Sequence, residues 1–333
     1  MKWTLTSEKH LAETYANHIN PFWKGAVNTG EFKGKHDVMV HYAWCQPENA
    51  HTHVVISSGR IESLLKYKEL MYDFFRNGFA VYILDHRGQG LSGRMTSDPQ
   101  HGYVADFDDY VDDLLFFCDS IVASQTDEPL HLLCHSMGGA IGTLALLKAP
   151  KRFASAVLCS PMFGVRPALP NWLAKSLICL SLKLQKLMKR DSGYFFGQTP
   201  YLAYPYAINT LTHSENRYRL FRKLYDDMRE IQLGGVTTHW LRAAVEAMDT
   251  IEMRSNEIEK PVLLFSASGD KIIDNTRQLA VAEKFKNADI RKVPEAYHEL
   301  FAESDEYRGP VLQQIMSFLH DRRESTDERY STH

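Results

Sequence analysis

The apolar run Leu130-His131-Leu132-Leu133 passes through Cys134-His135-Ser136-Met137-Gly138 into Gly139-Ala140-Ile141-Gly142-Thr143-Leu144-Ala145-Leu146-Leu147. Few folds place a strand, a single serine and a helix in direct succession. The serine must turn the chain sharply. Its hydroxyl then stands clear of the turn at a helix N-terminus, where N–H groups without partners face developing negative charge. Such a strained backbone needs small neighbours. Gly138 and Gly139 supply them on the helix side, whereas Cys134 stands where an elbow of this kind usually has glycine. The feature predicts that Ser136 is a nucleophile.

The pattern on either side of the elbow is consistent with that reading. Short apolar runs at 38–44, 53–57, 79–84, 130–134, 156–160 and 261–266 alternate with helical-period stretches such as 63–76, 107–122 and 137–149. This alternation predicts an α/β fold, a mostly parallel central sheet flanked by helices, with reactive groups at the carboxyl ends of the strands. It stops near Pro161. Residues 167–255 read as helices and aromatic loops, which we take as an inserted helical cap. Residues 1–166 and 256–333 are then the N-terminal and C-terminal halves of one core.

A serine needs a general base, and the base needs an acid to orient it. In this architecture they follow the nucleophile in the order acid, then histidine. Asp270 lies in the loop after the apolar run 261–266, with Asp274 as its competitor. Asp274 reads better as the cap of a helix starting near Asn275. His298 lies in the loop after the short strand candidate 289–293, where position and chain order agree for it among 15 histidines.

Two N–H groups must hold the oxyanion. Met137, the residue after the nucleophile, supplies one through its backbone. The Gly59-Arg60 turn after the run 53–57 is the expected source of the other, from the Arg60 backbone N–H, although a simple turn remains the alternative. The run Asp85-His86-Arg87-Gly88-Gln89-Gly90 lacks the ending of a phosphate-binding loop and reads as a structural loop fixed by Asp85 and Arg87. The acids Asp106, Asp108, Asp109, Asp112 and Asp113 suit a solvated helix N-terminus better than a cation site. No metal and no organic cofactor is expected.

Composition narrows the partners. A formal net charge of -3 gives no electrostatic case for nucleic acid. The odd count of 5 cysteines, without paired short spacings, argues against disulfides or zinc. Cys118, Cys134, Cys159 and Cys179 are expected to be buried thiols. The first ten residues lack the apolar core of a secretory signal, and no run is long enough to span a bilayer. The expected location is cytoplasmic, with a peripheral position on the inner face of the cytoplasmic membrane left open.

The runs Ser58-Gly59-Arg60-Ile61-Glu62-Ser63, Asp85-His86-Arg87-Gly88-Gln89-Gly90, His135-Ser136-Met137-Gly138-Gly139, Ser268-Gly269-Asp270 and Ala296-Tyr297-His298 together resemble the serine α/β-hydrolases of the lysophospholipase and monoacylglycerol lipase group. The segments 196–201 and 211–218 are similar to the bacterial inner-membrane lysophospholipases. The resemblance implies the α/β-hydrolase fold. It also implies Ser136 as nucleophile, Asp270 as acid, His298 as base, and Arg60 and Met137 as oxyanion donors. Ser58 stands where monoacylglycerol lipases usually carry histidine, which favours a lysophospholipid substrate over a monoacylglycerol. A non-catalytic binding protein of the same fold is the rival of another class, and such relatives commonly lack a triad member.

In the cap, Leu173, Leu177, Leu180, Leu184 and Leu187 recur on one helical face. They are expected to pack on the core, with peripheral membrane contact through this basic helix as the alternative, since Lys175, Lys183, Lys186, Lys189 and Arg190 are interspersed. Tyr194, Phe195, Phe196, Tyr201, Tyr204 and Tyr206 either line an acyl-chain pocket or form ordinary cap core. Thr212 and Glu215 suggest a capping box. The basic residues that follow, Arg217, Arg219, Arg222 and Lys223, read as a solvated face more readily than as a phosphate site.

Overall fold

An eight-stranded sheet organises the computed structural model, which describes residues 2–167, 169–188 and 192–330. Its strands are β1 (Asn28–Lys33), β2 (Met39–Cys45), β3 (Thr52–Ser57), β4 (Phe79–Leu84), β5 (Leu130–His135), β6 (Phe153–Cys159), β7 (Val262–Ala267) and β8 (Ala288–Val293). They lie in the order β1-β2-β4-β3-β5-β6-β7-β8. β2 pairs antiparallel with both β1 and β4, and every other pairing is parallel. The helices are α1 (Leu11–Thr14), α2 (Asn20–Ala26), α3 (Lys68–Phe75), α4 (Asp108–Phe116), α5 (Met137–Lys148), α6 (Asn171–Leu187), α7 (Glu215–Asp227), α8 (Thr238–Arg254), α9 (Asn275–Ala282) and α10 (Asp305–Tyr330).

The central strands are apolar on both faces because both faces are covered. Val55, Leu132 and Leu158 point into a core shared with Leu114, Ile141 and Met248 from α4, α5 and α8. Val54, Ile56, Leu133 and Phe265 point the other way, against Met71 and Phe74 of α3 and Leu312 and Ile315 of α10. Each such side chain contributes about 1.5–3 kcal/mol of burial. β1 escapes the sequence pattern because Phe32 is its only buried residue.

Register carries the geometry of the site. Ser57 at the end of β3 pairs with Cys134 on β5, and Ala267 at the end of β7 pairs with Val293 on β8. The loops after β3, β5, β7 and β8 therefore emerge along one edge.

Between β6 and β7 the described residues hold helices and isolated bridges but no strand. Here the structure corrects several expectations. Only part of the leucine stripe of α6 packs inward: Leu173 and Leu177 are half-buried, and Leu177 faces the cavity described below. Leu180, Leu184 and Leu187 are exposed, Leu187 by 81% and the nearby Trp172 by 70%. The buried face is instead Ile178, Ser181 and Gln185. Ser181 Oγ lies 2.7 Å from Thr238 Oγ1, and Gln185 Nε2 donates to that oxygen at 2.8 Å, so a polar contact with α8 sets the rotation of α6. The same rotation leaves Cys179 exposed, while Cys118, Cys134 and Cys159 are buried. Lys189 and Arg190 lie outside the described residues.

Ser214, not Thr212, caps α7, its side chain accepting from Arg217 N. Arg217 is not solvated: its guanidinium is buried against Glu69 and Asp305. Arg219 and Lys223 are exposed and pair with Glu215 and Asp227. Nor are Asp109 and Asp113 solvated. Both are buried against Arg87, whose Nε lies 2.7 Å from Asp113 Oδ2. The Arg87 loop is thus tied down by ion pairs, and Asp85 accepts there from the Leu64 and Leu91 amides.

Candidate active site

Ser136 joins β5 to α5 at φ 52° and ψ −117°, a conformation unfavourable for any residue with a side chain. Its amide donates to Cys159 O at 3.0 Å, and its carbonyl accepts from Met162 N at 2.9 Å. The strain is therefore held from both sides of the turn. Gly138 is obligatory, since a Cβ there would overlap the Ser57 carbonyl. Cys134 is accommodated by a glycine one turn into the helix: a Cβ on Gly142 would stand 2.5 Å from Cys134 Sγ. Met137 opens α5, so its N–H has no partner within the helix.

His298 Nδ1 lies 2.7 Å from Asp270 Oδ2, and both side chains are buried. This contact fixes the proton on Nδ1 and leaves Nε2 as an acceptor. The other Asp270 oxygen accepts from the amides of Ile272 at 2.7 Å and Ile273 at 3.0 Å. Burial opposes the Asp270 charge, but the His298 imidazole and these N–H groups hold its carboxyl below the usual range. Asp274 caps α9 by accepting from Thr276 and Arg277 amides.

Ser136 and His298 line one cavity of about 1210 Å³. Its walls include Leu177, Ile178, Phe195, Phe196, Tyr201, Tyr204, Val245 and Met248, so part of the aromatic belt faces it. Tyr194 and Tyr206 do not line it. Arg60 lines it too, and its side chain is engaged elsewhere than at Ser136: Nη2 donates to Gly234 O at 2.6 Å and the guanidinium stands 5.2 Å over the Trp240 ring. The loop that carries Arg60 is firmly held. Gln89 Nε2 donates to Gly59 O at 2.8 Å and Glu62 O at 3.1 Å, Gly59 N donates to Glu62 Oε2, and Tyr225 of α7 donates to Ile61 O. Ile61 itself sits at φ 61°.

Behind these residues lies a buried ionic cluster that the sequence reading missed. Lys66 Nζ bridges Glu62 Oε1 at 2.6 Å and Glu299 Oε2 at 2.7 Å. Tyr67 donates to Glu62 Oε2 at 2.6 Å. His135 places Nδ1 3.3 Å from Glu62 Oε2 and Nε2 3.1 Å from His298 O. Burial disfavours a charged His135, yet the Glu62 and Glu299 carboxylates push it up to about 9. As an imidazolium it donates in both directions, joining the loop after β3 to the loop after β8. Burial likewise opposes the Glu62 charge, but Lys66 and His135 hold it well below the usual carboxylate range. Glu62, His135 and Glu299 also have the spacing of metal ligands, but the Lys66 ammonium already occupies the place between the two carboxylates. The available signals were the Glu62/Lys66 spacing and the positions of His135 and Glu299 beside Ser136 and His298.

Comparison with known proteins agrees with this architecture. Residues 48–305 match the Hydrolase_4 family model, described as serine aminopeptidase, S33. The chain is 36% identical to lysophospholipase L2 of Escherichia coli strain K12 over 94% of its own length and 93% of that protein's. It is 27% identical to the monoglyceride lipase of Rattus norvegicus, over 81% and 82% of the two chains. The crystal structure of a soluble variant of monoglyceride lipase from Saccharomyces cerevisiae superposes with a TM-score of 0.68 at 16% identity, covering 89% and 96%, and shares the fold. The chain belongs to the Hydrolase_4 family and is a serine α/β-hydrolase.

Proposed function

We propose that the protein hydrolyses the carboxylic ester of lysophospholipids through an acyl-enzyme on Ser136. The observation that carries this reading is the 2.7 Å contact between His298 Nδ1 and Asp270 Oδ2 in the cavity that also holds the strained Ser136. His298 Nε2 takes the Ser136 proton as Oγ bonds to the ester carbonyl carbon. The Met137 and Arg60 N–H groups hold the oxyanion, and loss of one such donor costs about 3–4 kcal/mol of barrier. The tetrahedral intermediate collapses, and the leaving glycerol oxygen takes the proton from His298. A water then gives its proton to His298 and attacks the acyl carbon, releasing the fatty acid and restoring the Ser136 hydroxyl.

Several features support the substrate class. The Escherichia coli relative is named a lysophospholipase, and the cavity of about 1210 Å³ has the aliphatic and aromatic walls that suit an acyl chain. Monoacylglycerol is the second reading, favoured by the similarity to a monoglyceride lipase. We assign residues 167–255 as a cap over a core formed by 1–166 and 256–333. The exposed Trp172, Leu180 and Leu187 on α6, interspersed with Lys183 and Lys186, suit peripheral contact with an anionic bilayer. No helix of the described residues is long and apolar enough to cross a membrane.

Labelling with a fluorophosphonate probe and fatty-acid release from lysophosphatidylethanolamine test the reading together. Both are expected in the wild type, and both should vanish in Ser136→Ala. Labelling without release would reject the substrate class, and activity retained by the variant would reject the nucleophile.

A further inference from the structure

Arg222 and Arg60 set this cavity apart from a purely apolar acyl tunnel. Four carboxylates line it, and each is engaged. Glu62 and Glu299 hold Lys66, Glu252 holds Arg277, and Asp274 caps α9. The two guanidiniums are in the opposite condition. Among the described residues neither has a carboxylate within ion-pair distance, and the buried Nε atom of each has no hydrogen-bond partner. Arg222 lies over the rings of Tyr218 at 5.0 Å, Phe221 at 5.1 Å and Tyr201 at 5.9 Å, and donates to Tyr201 Oη at 3.3 Å. Ring faces soften the isolation of a cation but do not neutralise it. Burial pulls Arg60 down to about 10, whereas at Arg222 burial is outweighed by the Tyr201 and Tyr218 hydroxyls, which hold the guanidinium up.

Both side chains line the cavity that also holds Ser136: Arg60 donates to Gly234 O and Arg222 to the Tyr201 hydroxyl. Both residues are half-buried, but the buried Nε of each lacks an acceptor, which an anionic occupant of the cavity would supply. A guanidinium fork with free N–H groups fits phosphate oxygens. We infer that Arg222 is the recognition residue for the phosphodiester of the substrate, so that a phosphate on the leaving glycerol is selected over a free hydroxyl. This rests on the ester hydrolysis proposed above. The other basic residues of α7 are excluded by their carboxylate partners.

The test compares kcat/KM for lysophosphatidylethanolamine and for a monoacylglycerol of the same acyl chain. Arg222→Gln should lower the ratio of the first to the second by about 10- to 100-fold, the loss of a charge-assisted contact. Arg222→Lys, which keeps the charge without the fork, should lower it less. Competition separates two sources of the anion: glycerophosphoethanolamine should inhibit the wild type and lose its effect in Arg222→Gln. Inhibition by inorganic phosphate alone would overturn the headgroup assignment. So would an unchanged ratio in an enzyme that hydrolyses lysophosphatidylethanolamine. A wild type that hydrolyses only the monoacylglycerol would instead reject the lysophospholipid reading itself.

Discussion

Asp270 and Asp274 lie four positions apart and do different work in the structure. Asp270 accepts from His298, and Asp274 accepts from the first turn of α9. Asp270→Asn should therefore lower kcat by about 10⁴-fold with the fold intact. Asp274→Ala should cost about 1 kcal/mol of stability and leave turnover within a few-fold. Steady-state kinetics beside thermal melting separates the two, and an exchange of these outcomes would move the acid to Asp274. His135 gives a prediction of another kind. Its folded pKa is raised above the ordinary histidine value, so its charged contacts stabilise fully below about 6.5 and lose that contribution as pH rises through about 9. Glu62 runs the other way: its contribution is present above the usual carboxylate value and is lost as acid titrates its lowered folded pKa. The wild-type melting temperature should fall between pH 6.5 and 9 relative to that of His135→Asn. A constant difference across that window would mean that His135 is neutral in the fold.

At the scale of elements, the elbow depends on how β5 and α5 approach. Gly142→Ala would press a methyl group on Cys134 Sγ and should cost about 1–3 kcal/mol. In a Cys134→Ala background the same change should cost measurably less, because the obstructing sulfur is gone. Additive losses in denaturant titrations would show that the two positions do not touch. This pairing explains why the departure from glycine at 134 was legible as an irregularity but not as a solved one: its compensation lies eight residues on, across an interface. The same limit applies elsewhere. The strands from β3 to β7 were readable because the sheet buries both their faces, and β2 keeps Val40, Ala43 and Cys45 buried, whereas β1 buries one residue and β8 none, so that β8 was marked only by its place before the His298 loop. The leucines of α6 had a clear helical period, but periodicity shows only which side chains share a face. Which face meets the core was decided by Ser181 and Gln185 bonding to Thr238, polar residues that no apolar pattern marks. The chain order of Ser136, Asp270 and His298 was visible, while Glu62, Lys66, His135 and Glu299 meet only through the fold.

For the whole molecule, the exposed face of α6 bears on how lipid reaches the cavity. Replacing Leu180 and Leu187 together by serine should weaken sedimentation with anionic vesicles at least tenfold, since each buried leucine is worth about 1.5–3 kcal/mol. Hydrolysis of a short, soluble p-nitrophenyl ester should change little. Unaltered vesicle binding would leave this face without a role at the bilayer. The order of strands has a further consequence, in time rather than in space. Ser136 ends a strand at the middle of the sheet, whereas Asp270 and His298 follow β7 and β8, which pair at its far edge. Synthesis proceeds from the N-terminus, so a growing chain presents the elbow long before any base can stand beside it. The proposed nucleophile is thus inert on an unfinished chain, and the proposed activity begins only when the last two strands dock.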